Sequence, residues 1–218
     1  MIVKGLTFNG GFSMAAPEPP SVVQFVRAGS GSGTLQAGEY AIGMAYRTTG
    51  GDPGTGSGWD RIDRLTTNRF STYIYAFMYT KNTPGAFSAP SGTTMQWMVF
   101  SGADLAAGSG DSVLGLHAVE GTNLLTNNSL RLRHADRSLE VTDGSSIQVA
   151  FTVIAGFTNH PMLPGYTDVT VFNTPSSRLM AMGYRNLAPG VTSTGNRQTS
   201  TGNNAFAGRS FVAEIRAA

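Results

Sequence analysis

The sequence predicts an all-β protein, an antiparallel β-sandwich of the jelly-roll type that follows an extended N-terminal arm. Apolar residues recur with a period of two in several segments, as they do on β-strands. Glycine-rich turns separate these segments, and 28 of the 218 residues are glycine. No segment keeps a helical apolar period over three turns. Roughly ten short strands in antiparallel sheets are therefore expected.

The composition narrows the class of protein. Charged residues make up 13% of the chain, about half the usual ~25%, and the net charge is +2. That charge is too small to indicate a nucleic-acid partner. The chain has no cysteine, which excludes disulfides and cysteine-based metal sites. No stretch approaches the ~20 apolar residues of a spanning helix. We expect no cofactor and no membrane insertion.

Residues 1–20 are predicted to be a docking arm with its linker, and residues 21–218 the β-sandwich domain. The segment 1–16 reads as two short extended pieces around a Gly-Gly pair, and three prolines in residues 17–20 favour a stiff, extended spacer. The alternative is that the segment is a first edge strand of the same domain. The apolar residues expected to dock the arm are Leu6, Phe8, Phe12 and Met14.

Strand candidates follow one another along the domain. The clearest alternation lies in "GEYAIGMAYR" and "SIQVAFTVIAG". One face of the first carries Tyr40, Ile42, Met44 and Tyr46, and one face of the second carries Ile147, Val149, Phe151 and Val153. Two long polar stretches, 48–58 and 188–205, are predicted to be loops, and 103–145 is poorly patterned. The candidate strands are 21–28, 38–47, 59–65, 70–81, 94–102 and 146–156, followed by "YTDVTVFNT", "SRLMAMGYRNL" and "SFVAEIRAA".

The strand "FSTYIYAFMYTK" (70–81) has two apolar faces, whereas a strand at the surface of a soluble protein has one wet face. One face carries Thr72, Ile74, Ala76 and Met78, and we assign it to the core. The other face is predicted to pack on a neighbouring chain or on a ligand, because tyrosine is favoured at interfaces. The reverse assignment, with the tyrosines in the core, stays open. The residues predicted at a subunit contact are Tyr73, Tyr75, Phe77 and Tyr79.

No catalytic set can be assembled from the sequence, and we expect no enzyme. His117, His134 and His160 lie far apart and lack metal-ligand spacing. Neither a nucleophile elbow nor a phosphate loop is present. Asp60 and Asp63 could form a carboxylate pair, but strand alternation predicts that they point to opposite faces. We therefore predict neither a catalytic nor a metal site.

From about residue 38 onward the order of strand phrases resembles a β-sandwich module of tailed-bacteriophage virion proteins. The phrases that carry the resemblance are "GEYAIGMAYR", "GWDRIDRL", "STYIYAFMYTK", "TMQWMVFSGAD", "SIQVAFTVIAG", "SRLMAMGYRNL" and "FVAEIRAA". Here "VFSGAD" (99–104) stands where the module has a "YRGVD"-like phrase, and "FMYTK" (77–81) stands near its "WKVA"-like phrase. The leading "FNGGFSM" with its proline-rich linker resembles the attachment pieces of such proteins. The resemblance implies a virion component made in the cytoplasm of a bacterial host.

Two functions fit this expectation. One is a tail-fibre-type or baseplate-associated adhesin, a homo-oligomer and most simply a trimer, which docks on other virion proteins through its arm and touches a host surface glycan. The other is a head decoration (cement) protein that stabilises the capsid. The sparse charge and the Thr-, Asn- and Gly-rich loops favour the adhesin, because loops on rigid β-scaffolds carry recognition.

Overall fold

The structure is a computed structural model, and it describes the domain in segments. These are residues 21–47, 51–69, 72–105, 113–119, 123–124, 130–134, 144–156, 162–171, 180–191, 197–200 and 205–218. The predicted arm and linker, with Leu6, Phe8, Phe12 and Met14, lie outside the described residues.

The described residues form strands and connecting turns, and none of them is helical. Each pairing between strands is antiparallel, which confirms the all-β prediction. The strands are β1 Gln24–Ser30, β2 Gly33–Leu35, β3 Glu39–Arg47, β4 Asp60–Arg69, β5 Thr72–Lys81, β6 Gly85–Phe87, β7 Thr94–Ser101, β8 Val113–Val119, β9 Asn123–Leu124, β10 Leu130–His134, β11 Ile147–Gly156, β12 Thr167–Asp168, β13 Met180–Asn186, β14 Arg197–Ser200 and β15 Ala205–Ile215.

Two five-stranded sheets contain most of these strands. The first sheet has the order β1-β7-β3-β5-β4, and the second has the order β12-β13-β11-β15-β8. Two small sheets accompany them, β2-β6 and β14-β10-β9. The strand β14 lies inside the stretch 188–205 that the sequence predicts to be a loop. Polar residues hid this strand, because its side chains give no apolar alternation to read.

The five-stranded sheets share one apolar core, here called the central core. The alternation predicted for 38–47 and 146–156 is confirmed, because alternate residues from Tyr40 to Met44 on β3 and from Ile147 to Val153 on β11 are fully buried there. Burying one such side chain stabilises the fold by about 1.5–3 kcal/mol. Its buried members are Val23, Tyr40, Ile42, Met44, Ala76, Met78, Met98, Phe100, Ala103, Ile147, Val149, Phe151, Val153, Met180, Met182, Phe211, Ala213 and Ile215.

A short seam joins the two sheets at the end of the chain. The turn after β7, in the first sheet, runs beside the residues that follow β15, in the second. Ala103 forms an antiparallel bridge with Ala217. The amide of Asp104 donates to the Arg216 carbonyl at 3.0 Å, and the Arg216 guanidinium donates to the Asp104 carboxylate at 2.8 Å. Backbone and side-chain bonds therefore fix the spacing of the two sheets here.

Gly102 lies at the start of this seam, at a position that only a residue without a side chain can occupy. Its φ is +75°, in the left-handed region, and its carbonyl accepts from the Ala218 amide at 3.1 Å. A Cβ added there would lie 2.3 Å from the carbonyl oxygen of Val22. Because that neighbour is backbone, it cannot rotate away, and a substitution would push the seam apart.

We expect Gly102→Ala to lower the free energy of unfolding by about 3 kcal/mol, since it adds a backbone clash to the strain of a left-handed alanine. Gly38→Ala is the matched control, because Gly38 has φ +77° and no atom within 4 Å of an added Cβ. It should lose only about 1 kcal/mol. Urea unfolding of both variants measures the difference, and equal losses would show that the seam does not hold the sheets.

Candidate functional site

Both faces of β5 are buried over residues 76–81 within a single chain. Ala76 and Met78 point into the central core, as predicted for that face. Phe77 and Tyr79 point the other way and are also fully buried, at 0% exposure. These two side chains therefore have no surface left for a neighbouring chain, which corrects the prediction that they line a subunit contact. Tyr75 is half-buried, and the side chain of Tyr73 lies outside the described residues.

A second group of apolar side chains, here called the outer cluster, covers that face. It lies between the outer side of the first sheet and the small sheet β2-β6, with Trp59 added from the residue before β4. The chain itself thus covers the part of this face for which the sequence predicted a neighbouring chain or a ligand. Its buried members are Leu35, Ala41, Ala45, Trp59, Phe77, Tyr79, Phe87, Met95, Trp97 and Val99.

Several aromatic rings of the outer cluster meet edge to face. The ring centroids of Trp59 and Phe87 are 4.9 Å apart with their planes at 70°, and those of Phe87 and Trp97 are 5.3 Å apart at 88°. Trp59 also meets Tyr79 at 6.0 Å and 63°. Such pairs contribute about 0.5–1.5 kcal/mol beyond their buried area, so the small sheet is firmly fixed to the large one.

Two glycines make room for Trp97. A Cβ on Gly29 would lie 2.3 Å from the Trp97 ring, and one on Gly33 would lie 2.5 Å from the Phe87 ring and 2.9 Å from the Trp97 ring. The strands β2 and β6 were not predicted from the sequence, because they have only three residues each. The sequence sign of these strands is the glycines that stand near short apolar pairs. A glycine within a strand often marks a point where another group approaches the backbone closely.

The loop 51–58 is anchored on the outer cluster. The Tyr79 hydroxyl donates to the Gly54 carbonyl at 3.0 Å, and burial raises the pKa of Tyr79. Arg61 donates to both carboxylate oxygens of Asp52, at 2.8 and 2.7 Å. The same carboxylate accepts from the Gly54 amide at 2.9 Å. Thr55 and Ser57 remain exposed at its tip, so a fixed backbone presents their hydroxyls.

An ion pair clamps β2 onto the first sheet. Arg27 on β1 donates to both carboxylate oxygens of Glu39 on β3, and also to the Thr34 carbonyl on β2 at 2.7 Å. The carboxylate accepts a further bond from the Gln36 amide at 2.7 Å. The hydrogen bonds from Arg27, and then that from the Gln36 amide, hold the pKa of Glu39 below its ordinary value, although partial burial opposes this.

A polar group lies on the outer face of the second sheet. Gln148 Oε1 accepts from the Tyr166 hydroxyl at 2.6 Å and from Arg185 Nε at 2.7 Å. The Arg185 guanidinium also lies 5.4 Å from the Tyr166 ring centre. Glu214, which is 1% exposed, sits opposite Gln148 in the strand register. Each bond here satisfies a buried polar atom, which makes this group part of the scaffold.

The titratable residues named from the sequence are distributed over separate elements. His117 lies on β8 and His134 on β10, and His160 is outside the described residues. Within the part of the chain that the structure describes, no three His, Asp or Glu residues are close enough to hold a metal ion. That part also contains no helix able to cross a lipid bilayer.

The pairing of β4 with β5 is irregular between Asp60 and Asp63, and the side chain of Asp63 lies outside the described residues. A bulge between Arg61 and Asp63 pairs Asp60 with Thr80 and Asp63 with Met78. These two partners lie on one face of β5, because they are two residues apart. A one-residue bulge changes which residues share a face, and the sequence carries no sign of it.

No protein-family model matches the chain, and no curated protein or solved structure matches it either. The contacts, burial and charges of the described residues therefore carry the functional argument. They single out the anchored loop 51–58 as the candidate functional site on the outer cluster.

Replacing Glu39 with glutamine should show how the ion pair between Arg27 and Glu39 depends on pH. The folded pKa of Glu39 lies below its ordinary 4.5, so its stabilising effect is present above that value and is lost as pH falls through the folded pKa. At pH 7 we expect Glu39→Gln to cost about 1 kcal/mol, a modest figure because Arg27 is partly exposed. Chemical unfolding at pH 7 and pH 3 tests this. A loss of the same size at both values would contradict the role of the charge.

Among the residues predicted at a subunit contact, Tyr75 has a described side chain that is not fully buried. Its substitution therefore tests the predicted oligomer. We expect Tyr75→Glu to give a folded species of smaller mass in light scattering, because a half-buried charge at a subunit contact costs more than one facing water. Val26→Glu is the control, since Val26 is 43% exposed on β1, an edge strand of the same sheet. An unchanged mass for Tyr75→Glu would remove the tyrosine face from the subunit contact.

Proposed function

We propose that the protein is a structural component of a tailed-phage virion, and specifically a tail-fibre-type or baseplate-associated adhesin subunit that contacts the host surface. Its fold in this proposal is an antiparallel β-sandwich of the jelly-roll type. Other virion proteins would bind its N-terminal arm, and copies of the chain would assemble as a trimer. A neutral glycan of the bacterial surface would be the ligand.

The packing of the two large sheets supports the sandwich. Both contribute alternate residues to the central core, as aligned sheets do in sandwich proteins. The phrases that resemble phage modules also lie in the strands that build this core and the outer cluster. Four of them supply β3, β4, β5 and β7 of the first sheet, and three supply β11, β13 and β15 of the second. The residues that carry the resemblance therefore form the strands of the two large sheets.

The single observation that carries the proposal is the anchoring of the loop 51–58. One Arg61 guanidinium nitrogen bonds the Asp52 carboxylate, which accepts from the Gly54 amide, and the Tyr79 hydroxyl donates to the Gly54 carbonyl. The exposed Thr55 and Ser57 then need little further ordering when they bind. A preorganised loop loses less conformational entropy on binding than a free one, which is how rigid scaffolds present recognition loops.

Hydroxyl groups on a fixed loop suit a neutral, hydroxyl-rich ligand. Sugars exchange hydrogen bonds with threonine and serine without demanding a counter-charge. The low charged fraction of the chain, 13%, agrees with such a ligand. A single contact of this kind is weak. Several linked copies would raise the effective concentration at a surface, which is the reason for proposing an oligomer.

The purified full chain can be tested on an array of bacterial surface polysaccharides. We expect at least one neutral polysaccharide to bind, and Thr55→Ala with Ser57→Ala to weaken that binding about tenfold through two lost hydrogen bonds. The control is Thr167→Ala, an exposed threonine on the second sheet. Failure to bind any polysaccharide would overturn the adhesin. Binding to empty phage heads instead would establish the cement-protein alternative.

A further inference from the structure

A cleft opens between the two large sheets on the side of β1 and β13. Its cavity volume is about 330 Å³. The residues from Val22 to Phe25 form one wall, the end of β13 forms the opposite wall, and Ser146 lies between them. The cleft is separate from the loop 51–58, whose contacts lie on the other face of the first sheet.

An aromatic stack forms the apolar part of the cleft. Phe25 on β1 and Tyr184 on β13 lie with ring centroids 4.7 Å apart and planes 13° from parallel. Phe100 of the central core meets both rings edge to face, at 5.9 and 6.2 Å. Three contacts thus fix the orientation of the two rings. Val22, which is 50% exposed, adds apolar surface at the rim.

Neutral polar groups complete the cleft. Gln24 and Asn186 are exposed residues that line opposite walls, and a side-chain amide offers one acceptor and two donors. None of the described residues that line the cleft is acidic or basic. The lining therefore offers no charge to attract an ion, and an apolar ligand would leave the two amides without hydrogen-bond partners.

We propose that this cleft is the binding site for one ring of a neutral sugar. A pyranose ring has an apolar C–H face that suits an aromatic surface and a rim of hydroxyls that both donate to and accept from amides. The volume is near the lower end of the ~300–1,000 Å³ range of ligand sites, which favours a single ring. The inference rests on the proposed function, because it names the class of glycan and places it away from the loop.

Titration of the isotope-labelled full chain with glucose, galactose, mannose and N-acetylglucosamine tests the site by NMR. We expect at least one sugar to shift the side-chain amide signals of Gln24 and Asn186 and the ring signals of Tyr184. A single small ligand of this kind should bind with a dissociation constant of roughly 1–10 mM. The variant Gln24→Ala with Asn186→Ala should weaken binding about tenfold, through two lost hydrogen bonds.

Gln36→Ala is the matched control. Gln36 is exposed in a different turn, between β2 and β3, and the loss of its side-chain amide should leave binding unchanged. The site is overturned if no sugar shifts these signals up to ~100 mM, a concentration well above the expected constant, or if the double variant binds like the natural chain. It is also overturned if a peptide of residues 1–16 shifts them and the sugars do not. Polysaccharide binding on the array without these shifts would leave the adhesin standing and remove only the cleft.

Discussion

The first sheet can exist in this form only because the chain covers both of its faces. A strand such as β5 carries large apolar side chains on both faces. Exposing either face to water would lose the free energy gained by burying several of these side chains. The second five-stranded sheet covers the inner face. The small sheet β2-β6 and Trp59 cover the outer face, and the anchoring of the loop 51–58 by Tyr79 follows from that cover.

Much of the scaffold could be read from the sequence, because period-two alternation reports burial directly. Ile42 and Met44 on β3, like Val149 and Phe151 on β11, were assigned to one face and lie in the central core. The alternation also showed that β5 had two apolar faces. It could not say what covers the second one, since a pattern within one strand records that a face is buried and carries no information about its partner.

The small sheet that covers the outer face together with Trp59 was not predicted as its cover, because its strands are short and come from distant points in the chain. Leu35 and Phe87 belong to strands of three residues, too short for any period to show. Gly33 matters through the Phe87 and Trp97 rings that fill its space, which is a tertiary contact. The loop predicted at 48–58 is confirmed for the described residues 51–58, whereas its anchoring by Asp52 and Arg61 is a contact between side chains that the sequence pattern does not record.

One irregular residue on β1 lets that strand serve both sides of the first sheet. Phe25 pairs with Phe100 and packs toward the central core, whereas Arg27 pairs with Val99 and bonds Glu39 on the outer side. In a regular strand these residues, two apart, would share a face. The register shift at Val26 separates them. The same bulge therefore turns an aromatic ring into the cleft and a guanidinium onto the clamp. It also interrupts an edge strand that would otherwise offer a regular row of backbone groups to another chain.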